Sequence, residues 1–220
     1  MSEPPQPHYF SPAPGTRSRP TTLRLDLPDL SLTLQADAGV FSASRVDPGT
    51  KVLLTEAPPP PPQGDLLDLG CGYGPIALAL ATRSPGATVW AVDINERALD
   101  LTRANAAAAG LGNVRVAAPG DVPDGLRFAA IWSNPPVRVG KAVLHDLLDA
   151  WLARLADDGR ALLVVQKHLG SDSLHRWLQQ RGWQVERRTS RMAYRVLDVR
   201  PAAAGCGGDP STDPTTGAGT

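Results

Sequence analysis

Hydrophobic and polar residues alternate in two short segments near the start of the chain. The first covers 23–27 and the second covers 30–34, with leucine at every other position and Pro28-Asp29 between them. This period-two pattern around a turn predicts a β-hairpin. The turn Asp47-Pro48-Gly49 then precedes a predicted short helix over 50–56.

From Asp65 onward, apolar strand-like runs alternate with helical patterns. The predicted strands cover 66–69, 88–92, 114–117, 128–132 and 161–166. The predicted helices cover 76–82, 96–109, 141–155 and 171–181. Segments 183–188 and 193–199 are predicted to close the sheet as an antiparallel hairpin. Alternating strands and helices indicate an α/β fold whose sheet is mostly parallel and has helices on both faces.

These patterns divide the chain into five parts. Residues 1–20 are proline-rich and predicted to be a flexible arm, and 21–57 form the hairpin and helix extension. Residues 58–64 contain five consecutive prolines, which favour a stiff extended connector. Residues 65–200 form the main domain, and 201–220 are predicted to be a disordered tail.

Composition and charge narrow the function classes. The formal net charge is zero, so no global basic signal indicates nucleic-acid binding. Two distant cysteines, Cys71 and Cys206, form no disulfide framework and are typical of a reducing, cytoplasmic environment. The four histidines lack metal-ligand spacing, and no apolar run is long enough to span a membrane. We therefore expect a cytoplasmic protein with no metal and no membrane partner, and favour a monomer.

A glycine-rich loop follows the first predicted strand of the main domain. It runs DLGCGYGP over 68–75, and Asp93 ends the next predicted strand. Glycines let the backbone approach a ligand closely, and a carboxylate such as Asp93 can accept hydrogen bonds from both ribose hydroxyls. This arrangement predicts a site for an adenosine-containing cofactor at the carboxyl ends of parallel strands.

The loop favours S-adenosyl-L-methionine (SAM) over a dinucleotide. Its glycines are Gly70, Gly72 and Gly74, and Pro75 stands where the third glycine of the dinucleotide fingerprint belongs. Asp68 would repel a pyrophosphate and attract the cationic amino group of SAM. Asp121 follows the third predicted strand, where a carboxylate could accept a hydrogen bond from the adenine amino group.

A second motif ends the strand predicted over 128–132. Asn134 is followed by Pro135 and Pro136, which supply no N–H and push the preceding residue out of the helical region. Asn134 is therefore expected to be extended at the strand end, with its side chain above the sheet. A site rich in acceptors suits a substrate that brings N–H donors, such as an exocyclic amino group or an amide.

Together these motifs resemble those of the class I SAM-dependent methyltransferases. Within that class the chain is similar to the short, single-domain members of the small-domain family that contains the bacterial 16S rRNA guanine-N2 methyltransferases. The resemblance rests on GVFS at 39–42, DLGCGYGPI at 68–76, VDINERA at 92–98 and NPPVRVGK at 134–141. It implies a Rossmann-like fold with seven strands, one of them antiparallel, beside the N-terminal hairpin.

The resemblance also implies a mechanism and a set of site residues. The Asn134 side chain and the Pro135 carbonyl would hold the target amino group, aiming its lone pair at the methyl carbon. Substrate contacts are expected from Phe41, Pro136, Arg138 and Lys141. Cofactor contacts are expected from Asp68, Gly70, Cys71, Gly72, Gly74, Asp93, Ile94, Asp121 and Asn134.

One departure concerns the residue after the prolines, where many related enzymes carry an aromatic that stacks on the base. Here it is Val137, so stacking must come from elsewhere, with Phe41, Tyr9 and Tyr194 as candidates. The expected partner is RNA, as small-subunit rRNA or the assembled small ribosomal subunit. A basic rim is predicted to hold its phosphates, comprising Arg45, Lys51, Arg138, Lys141, Lys167, Arg187, Arg188, Arg191 and Arg195.

Other functions remain open at this point. The Asn-Pro-Pro motif also fits methyl transfer to a protein glutamine or a DNA adenine. A non-catalytic SAM- or RNA-binding module is a third hypothesis, although the loop, Asp93 and Asn134 are all intact. An oxidoreductase that uses NAD is disfavoured by Pro75.

Overall fold

The computed structural model describes residues 17–202. The predictions for most of the N-terminal arm, including Tyr9, and for the tail beyond residue 202 lie outside the described residues.

A seven-stranded sheet forms the centre of the molecule, with strand order β5-β4-β3-β6-β7-β9-β8. Only β9 runs antiparallel to its neighbours in this sheet, pairing with β7 on one side and β8 on the other. The predicted fold class is therefore confirmed. The strands are β3 (Gln63–Leu69), β4 (Gly86–Val92), β5 (Val114–Ala117), β6 (Phe128–Ser133), β7 (Leu155–Gln166), β8 (Gln184–Arg191) and β9 (Tyr194–Arg200).

Within residues 17–202, five α-helices cover the two faces of the sheet, and two apolar cores lie between them and the strands. Trp132 faces one core together with side chains of the first three helices, whereas Ile131 faces the other with side chains of the last two. This alternation between faces is the period-two geometry of a strand. The helices are α1 (Pro48–Glu56), α2 (Pro75–Arg83), α3 (Glu96–Ala108), α4 (Lys141–Leu152) and α5 (Ser171–Gln180).

The N-terminal hairpin forms a separate two-stranded sheet, as the leucine alternation predicts. Strands β1 (Thr21–Asp26) and β2 (Ser31–Ala36) are antiparallel, with Leu25 and Leu34 fully buried. The Asn105 side chain of α3 accepts from the Gln35 amide at 2.7 Å and donates to the Gln35 carbonyl at 2.9 Å. One buried side chain thus joins the hairpin to the main domain.

The predicted boundary between α4 and β7 is wrong. The helix ends at Leu152 rather than 155, and β7 begins at Leu155 rather than 161. The Asp157-Asp158-Gly159 stretch lies inside an irregular strand whose register with β6 shifts between Phe128 and Ala130. A Cβ on Gly159 would stand 2.8 Å from the Phe128 carbonyl oxygen, so glycine permits this close approach.

Candidate active site

A cavity of about 450 Å³ opens above the carboxyl ends of β3, β4, β6 and β7. The glycine loop and Asp93 form one part of its wall, and the Asn134-Pro135-Pro136 segment forms another. Residues of the N-terminal extension, among them Phe41 and Asp47, complete the enclosure. The fold therefore brings the two sequence motifs together around one space.

The glycine loop presents bare backbone to this cavity. Gly70 and Gly72 have φ values of 76° and 57°, which favour glycine. No atom lies within 4 Å of the place that a Cβ would occupy at either position. The Gly70 and Cys71 amides donate to the Val92 carbonyl at 2.8 and 3.0 Å, which fixes the loop to the end of β4.

Asp93 lies opposite the loop at the end of β4. One carboxylate oxygen accepts from the Gly72 amide and the other from the Asn95 amide, each at 2.9 Å. A carboxylate offers about four lone-pair sites, so this one can still accept from a ligand. Because Asp93 lines the cavity beside open glycine backbone, these residues fit the ribose of an adenosine-containing cofactor.

Asp68 lies beneath the loop rather than on the cavity wall. Its Oδ2 accepts from the Ala77 amide in the first turn of α2 at 2.8 Å, and its Oδ1 is buried without a hydrogen-bond partner. Burial raises the pKa of this carboxyl to about 8, and the charge of Asp93 adds to the shift. At neutral pH the group is therefore mostly protonated and offers little negative charge to a ligand.

Asn134 follows directly after β6, where the two prolines were predicted to hold it. Its side-chain Nδ2 donates to Asp47 Oδ1 at 2.8 Å and to Thr50 Oγ1 at 3.1 Å. The preceding residue, Ser133, is buried and donates its hydroxyl hydrogen to the Leu69 carbonyl at 2.7 Å. The end of β6 is thus fixed both to the glycine-loop strand and to the first turn of α1.

Tyr194 closes the cavity beside this first turn. A Cβ on Gly49 would stand 2.6 Å from Tyr194 Cε1, so glycine lets the aromatic ring lie against the helix. Burial raises the pKa of Tyr194, and the Asp47 carboxylate adds to that rise. The Tyr73 hydroxyl is buried without a hydrogen-bond partner in the described part of the chain.

The structure gathers most, but not all, of the predicted site residues at the cavity. Asp68, Gly74, Ile94, Asp121 and Lys141 are not among its lining residues. Those that line it are Phe41, Gly70, Cys71, Gly72, Asp93, Asn134, Pro135, Pro136 and Arg138.

Sequence reasoning missed Asp47, Thr50 and Tyr73 as lining residues. Asp47 lies in the predicted turn over 47–49, Thr50 begins the helix predicted after it, and Tyr73 lies within the glycine loop, but none of these patterns marks the three as site residues.

The predicted basic rim divides into paired and unpaired cations. Arg187 and Arg195 both pair with Asp172, Arg191 pairs with Glu56, and Arg188 pairs with Asp198. Within the described residues, the ion pairs involve none of the other five members, which are Arg45, Lys51, Arg138, Lys141 and Lys167. Arg138 lines the cavity, so its wall carries a positive charge that no carboxylate of the described residues pairs with.

Two further observations concern residues 17–202. Their His, Cys, Asp and Glu side chains form no group of three that could hold a metal ion. None of their helices has the length and apolar character needed to cross a bilayer.

Comparison with known proteins places this architecture in a family. The family model described as methyltransferase small domain matches residues 31–198. The Bacillus subtilis protein YbxB, of uncharacterised function, is 37% identical over 169 residues, which cover 76% of this chain and 84% of YbxB. The rRNA small subunit methyltransferase C of Aeromonas hydrophila is 42% identical over 132 residues, covering 59% of this chain and 37% of that enzyme.

A solved structure agrees with these relatives. The Thermus thermophilus 16S rRNA N2 G1207 methyltransferase, RsmC, in complex with AdoMet and guanosine, matches with a TM-score of 0.70 and 26% identity. The match covers 86% of this chain and 52% of that one, so the chain spans about half of the larger enzyme. The chain belongs to the methyltransferase small domain family of SAM-dependent methyltransferases, and SAM is its cofactor.

Proposed function

We propose that this protein transfers a methyl group from SAM to an exocyclic amino nitrogen, and that its acceptor is the N2 of a guanine in small-subunit rRNA. The observation that carries the proposal is the position of Asn134. It lies on the same cavity as the glycine loop and Asp93, with both of its amide hydrogens already donated. Its Oδ1 is the remaining polar atom of the side chain and can only accept a hydrogen bond.

This reaction requires the protein to position the amino group against the methyl group, and it requires no nucleophilic side chain. SAM would supply a methyl group activated by its sulfonium: the nitrogen–carbon bond forms as the carbon–sulfur bond breaks, S-adenosylhomocysteine leaves as a neutral thioether, and the methylated nitrogen gives up one proton to water. The amino nitrogen of guanine is a poor nucleophile, because its lone pair is delocalised into the ring. Two acceptors on its two hydrogens favour a more tetrahedral nitrogen, and holding the reactants about 3–3.5 Å apart supplies much of the rate.

The second acceptor is the Pro135 carbonyl. Pro135 is buried and lines the cavity next to Asn134, and its carbonyl accepts one hydrogen bond, from the Val137 amide at 2.8 Å. A carbonyl oxygen has two lone pairs, so one remains for the amino group. Phe41 is 64% exposed at the cavity and supplies an aromatic face for the base in place of the missing aromatic at Val137.

The named relatives favour RNA among the acceptors that share the Asn-Pro-Pro motif. The Aeromonas relative is named for the small ribosomal subunit, and the Thermus structure was solved with guanosine. The unpaired Arg138 at the cavity and Lys141 beyond it suit the phosphates of an RNA strand. We assign the bound partner accordingly as small-subunit rRNA, free or within the assembled subunit.

The test is transfer of labelled methyl from SAM to small ribosomal subunits that lack guanine-N2 methylation. The RNA is then digested and the labelled nucleoside identified. We expect label in N2-methylguanosine with the wild-type chain and incorporation at least about 100-fold slower with Asn134→Ala. Label in another nucleoside, in ribosomal protein alone, or in supplied DNA would overturn the assignment of the acceptor.

A further inference from the structure

The amide of Asn134 is held by two residues of the N-terminal extension. Asp47 and Thr50 receive its two hydrogen bonds, although they lie 87 and 84 residues away in the sequence. Each is a side chain-to-side chain contact, and Asp47, Thr50 and Asn134 all line the cavity. The contact therefore connects the extension directly to the residue that faces the acceptor.

Chemistry fixes which way the amide points. An ionised carboxylate can only accept hydrogen bonds, so the Asn134 nitrogen and not its oxygen must face Asp47. Thr50 Oγ1 takes the second hydrogen of the same nitrogen. Rotation of the amide by half a turn would set its oxygen against the Asp47 carboxylate and lose that bond, whereas the Thr50 hydroxyl can donate as well as accept, so Asp47 decides the orientation. Oδ1 is thereby left on the side away from Asp47 and Thr50.

We propose that Asp47 and Thr50 are positioning residues, which hold the Asn134 amide so that its oxygen accepts from the amino group to be methylated. The assignment rests on the proposed function, because it gives that oxygen its role. Asn134→Ala removes the oxygen that accepts the hydrogen bond, whereas changes at Asp47 and Thr50 keep that oxygen but allow the amide to rotate. The same contacts polarise the amide, since a donated N–H strengthens its carbonyl as an acceptor.

The two positioning residues are themselves firmly placed. Asp47 is the N-cap of α1, and its Oδ1 also accepts from the Thr50 amide at 3.1 Å. Thr50 is 4% exposed, and Leu53, in the next turn of α1, is fully buried against the sheet. The acceptor atoms of both residues are therefore set by the helix start rather than by a mobile side chain.

The variants separate this role from helix capping. Asp47→Ser keeps a residue that caps helices well but lacks the reach and charge of the carboxylate. Asp47→Asn keeps an acceptor oxygen at the same reach. Thr50→Val keeps the shape of the side chain and removes its oxygen. For each variant we would measure kcat and KM for methyl transfer, the Kd for SAM and the melting temperature.

We expect Asp47→Ser to lower kcat about 10- to 100-fold, the scale on which small misplacements act, with Kd for SAM unchanged within about twofold. Thr50→Val should lower kcat about 3- to 10-fold, and Asp47→Asn should restore most of the activity that Asp47→Ser loses. In an Asn134→Ala background, Asp47→Ser should cost nothing further. Wild-type kcat in Asp47→Ser, or full additivity of the two changes, would overturn the proposal.

A result can also separate this inference from the proposed function. If the wild-type chain labels no RNA, the proposed function fails, and the contact is then tested by a double-mutant cycle in equilibrium unfolding. We expect Asp47→Ser and Asn134→Ala to be coupled by at least about threefold in the unfolding equilibrium constant. Additive effects would overturn the positioning contact as well.

Discussion

The two halves of the cavity are built in different ways. The cofactor half consists of the glycine loop and Asp93, whose contacts join residues 21 apart and run mainly through backbone amides. The acceptor half is the part of the cavity around Asn134, Asp47 and Thr50. There the Asn134 side chain bonds directly to the side chain of Asp47, 87 residues away in the sequence. Tyr194, from the last strand, completes this second half.

This difference indicates which segments shape the cofactor side of the cavity and which shape the acceptor side. Backbone contacts within one βαβ unit fix the glycine loop to the end of β4 beside Asp93. Side chains from the extension and from β9 shape the place where the acceptor enters. The first turn of α1 therefore belongs to the acceptor half, and changes at Asp47 and Thr50 should alter transfer while leaving SAM binding intact.

The largest effect should follow removal of the acceptor atom. We expect Asn134→Ala to lower kcat about 100- to 1,000-fold, as loss of one group that stabilises developing charge does in other enzymes. A single-turnover methyl-transfer assay at saturating SAM measures it. A kcat for Asn134→Ala within about threefold of the wild type would show that the Asn134 oxygen is not needed for transfer.

The junction between the halves should be sensitive to Asn105. Its side chain is 1% exposed and also donates to the Tyr73 carbonyl at 2.8 Å, in addition to its two bonds with Gln35. Asn105→Ala would leave buried backbone groups without partners and should lower the free energy of unfolding by about 2–4 kcal/mol.

Chemical denaturation measures this loss, and Arg103→Ala is the matched control. Arg103 lies on the same helix but is exposed, and it pairs with the exposed Asp100. We expect the control to stay within about 0.5 kcal/mol of the wild type. Equal effects of the two variants would contradict the role of Asn105.

Because Tyr194 packs directly against Gly49 of α1, a methyl group added at Gly49 should lower the stability of the fold. In Gly49→Ala the Cβ would meet the tyrosine ring at 2.6 Å and Asp47 Oδ1 at 2.9 Å. Overpacking of this kind costs about 1–3 kcal/mol, which should appear as a lower melting temperature. Gly112→Ala is the control, because nothing lies within 4 Å of its Cβ position.

A pH-dependent effect on stability is expected from Asp68, beneath the glycine loop. Because the folded pKa of this carboxyl is raised to about 8 from a usual 3.8, the folded protein binds a proton that the unfolded chain has released. The contribution of this carboxyl to the free energy of unfolding is therefore fully present below about pH 4 and is lost as the pH rises toward 8. Asp68→Asn should remove up to about 1.4 kcal/mol per pH unit of this slope.

The comparison is made on protein without ligand, by denaturation between pH 5 and 8. The difference between wild type and Asp68→Asn should grow with pH in favour of the variant. A constant difference would show that the carboxyl titrates normally in the folded protein.

Sequence patterns anticipated the cofactor half better than the acceptor half. Gly70, Gly72 and Asp93 form a local motif whose geometry follows from strand ends and glycine dihedrals. Asp47 and Thr50 escaped notice, because a side-chain contact over 87 residues leaves no periodicity in the chain. Asp68 was expected at the ligand, but the strand alternation that buries Leu66 also buries this carboxyl under the loop.

The early start of β7 was missed for a related reason. Asp157-Asp158-Gly159 has the composition of a turn, and only pairing with β6 makes it part of a strand. Counting cations does not reveal that four arginines of the basic rim are paired with carboxylates, with Asp198 on the neighbouring strand, Asp172 at the start of α5 and Glu56 in α1. Tertiary pairing, rather than local propensity, decided each case.

Titration of SAM into Asp93→Ala and Asn134→Ala tests the division of the cavity most directly. We predict that Asp93→Ala raises the Kd for SAM about 10- to 150-fold, since a hydrogen bond to a charged acceptor contributes about 1.5–3 kcal/mol. Asn134→Ala should bind SAM within about twofold of the wild type while its turnover is lost. Equal loss of SAM affinity in both variants, or wild-type affinity in Asp93→Ala, would contradict the account.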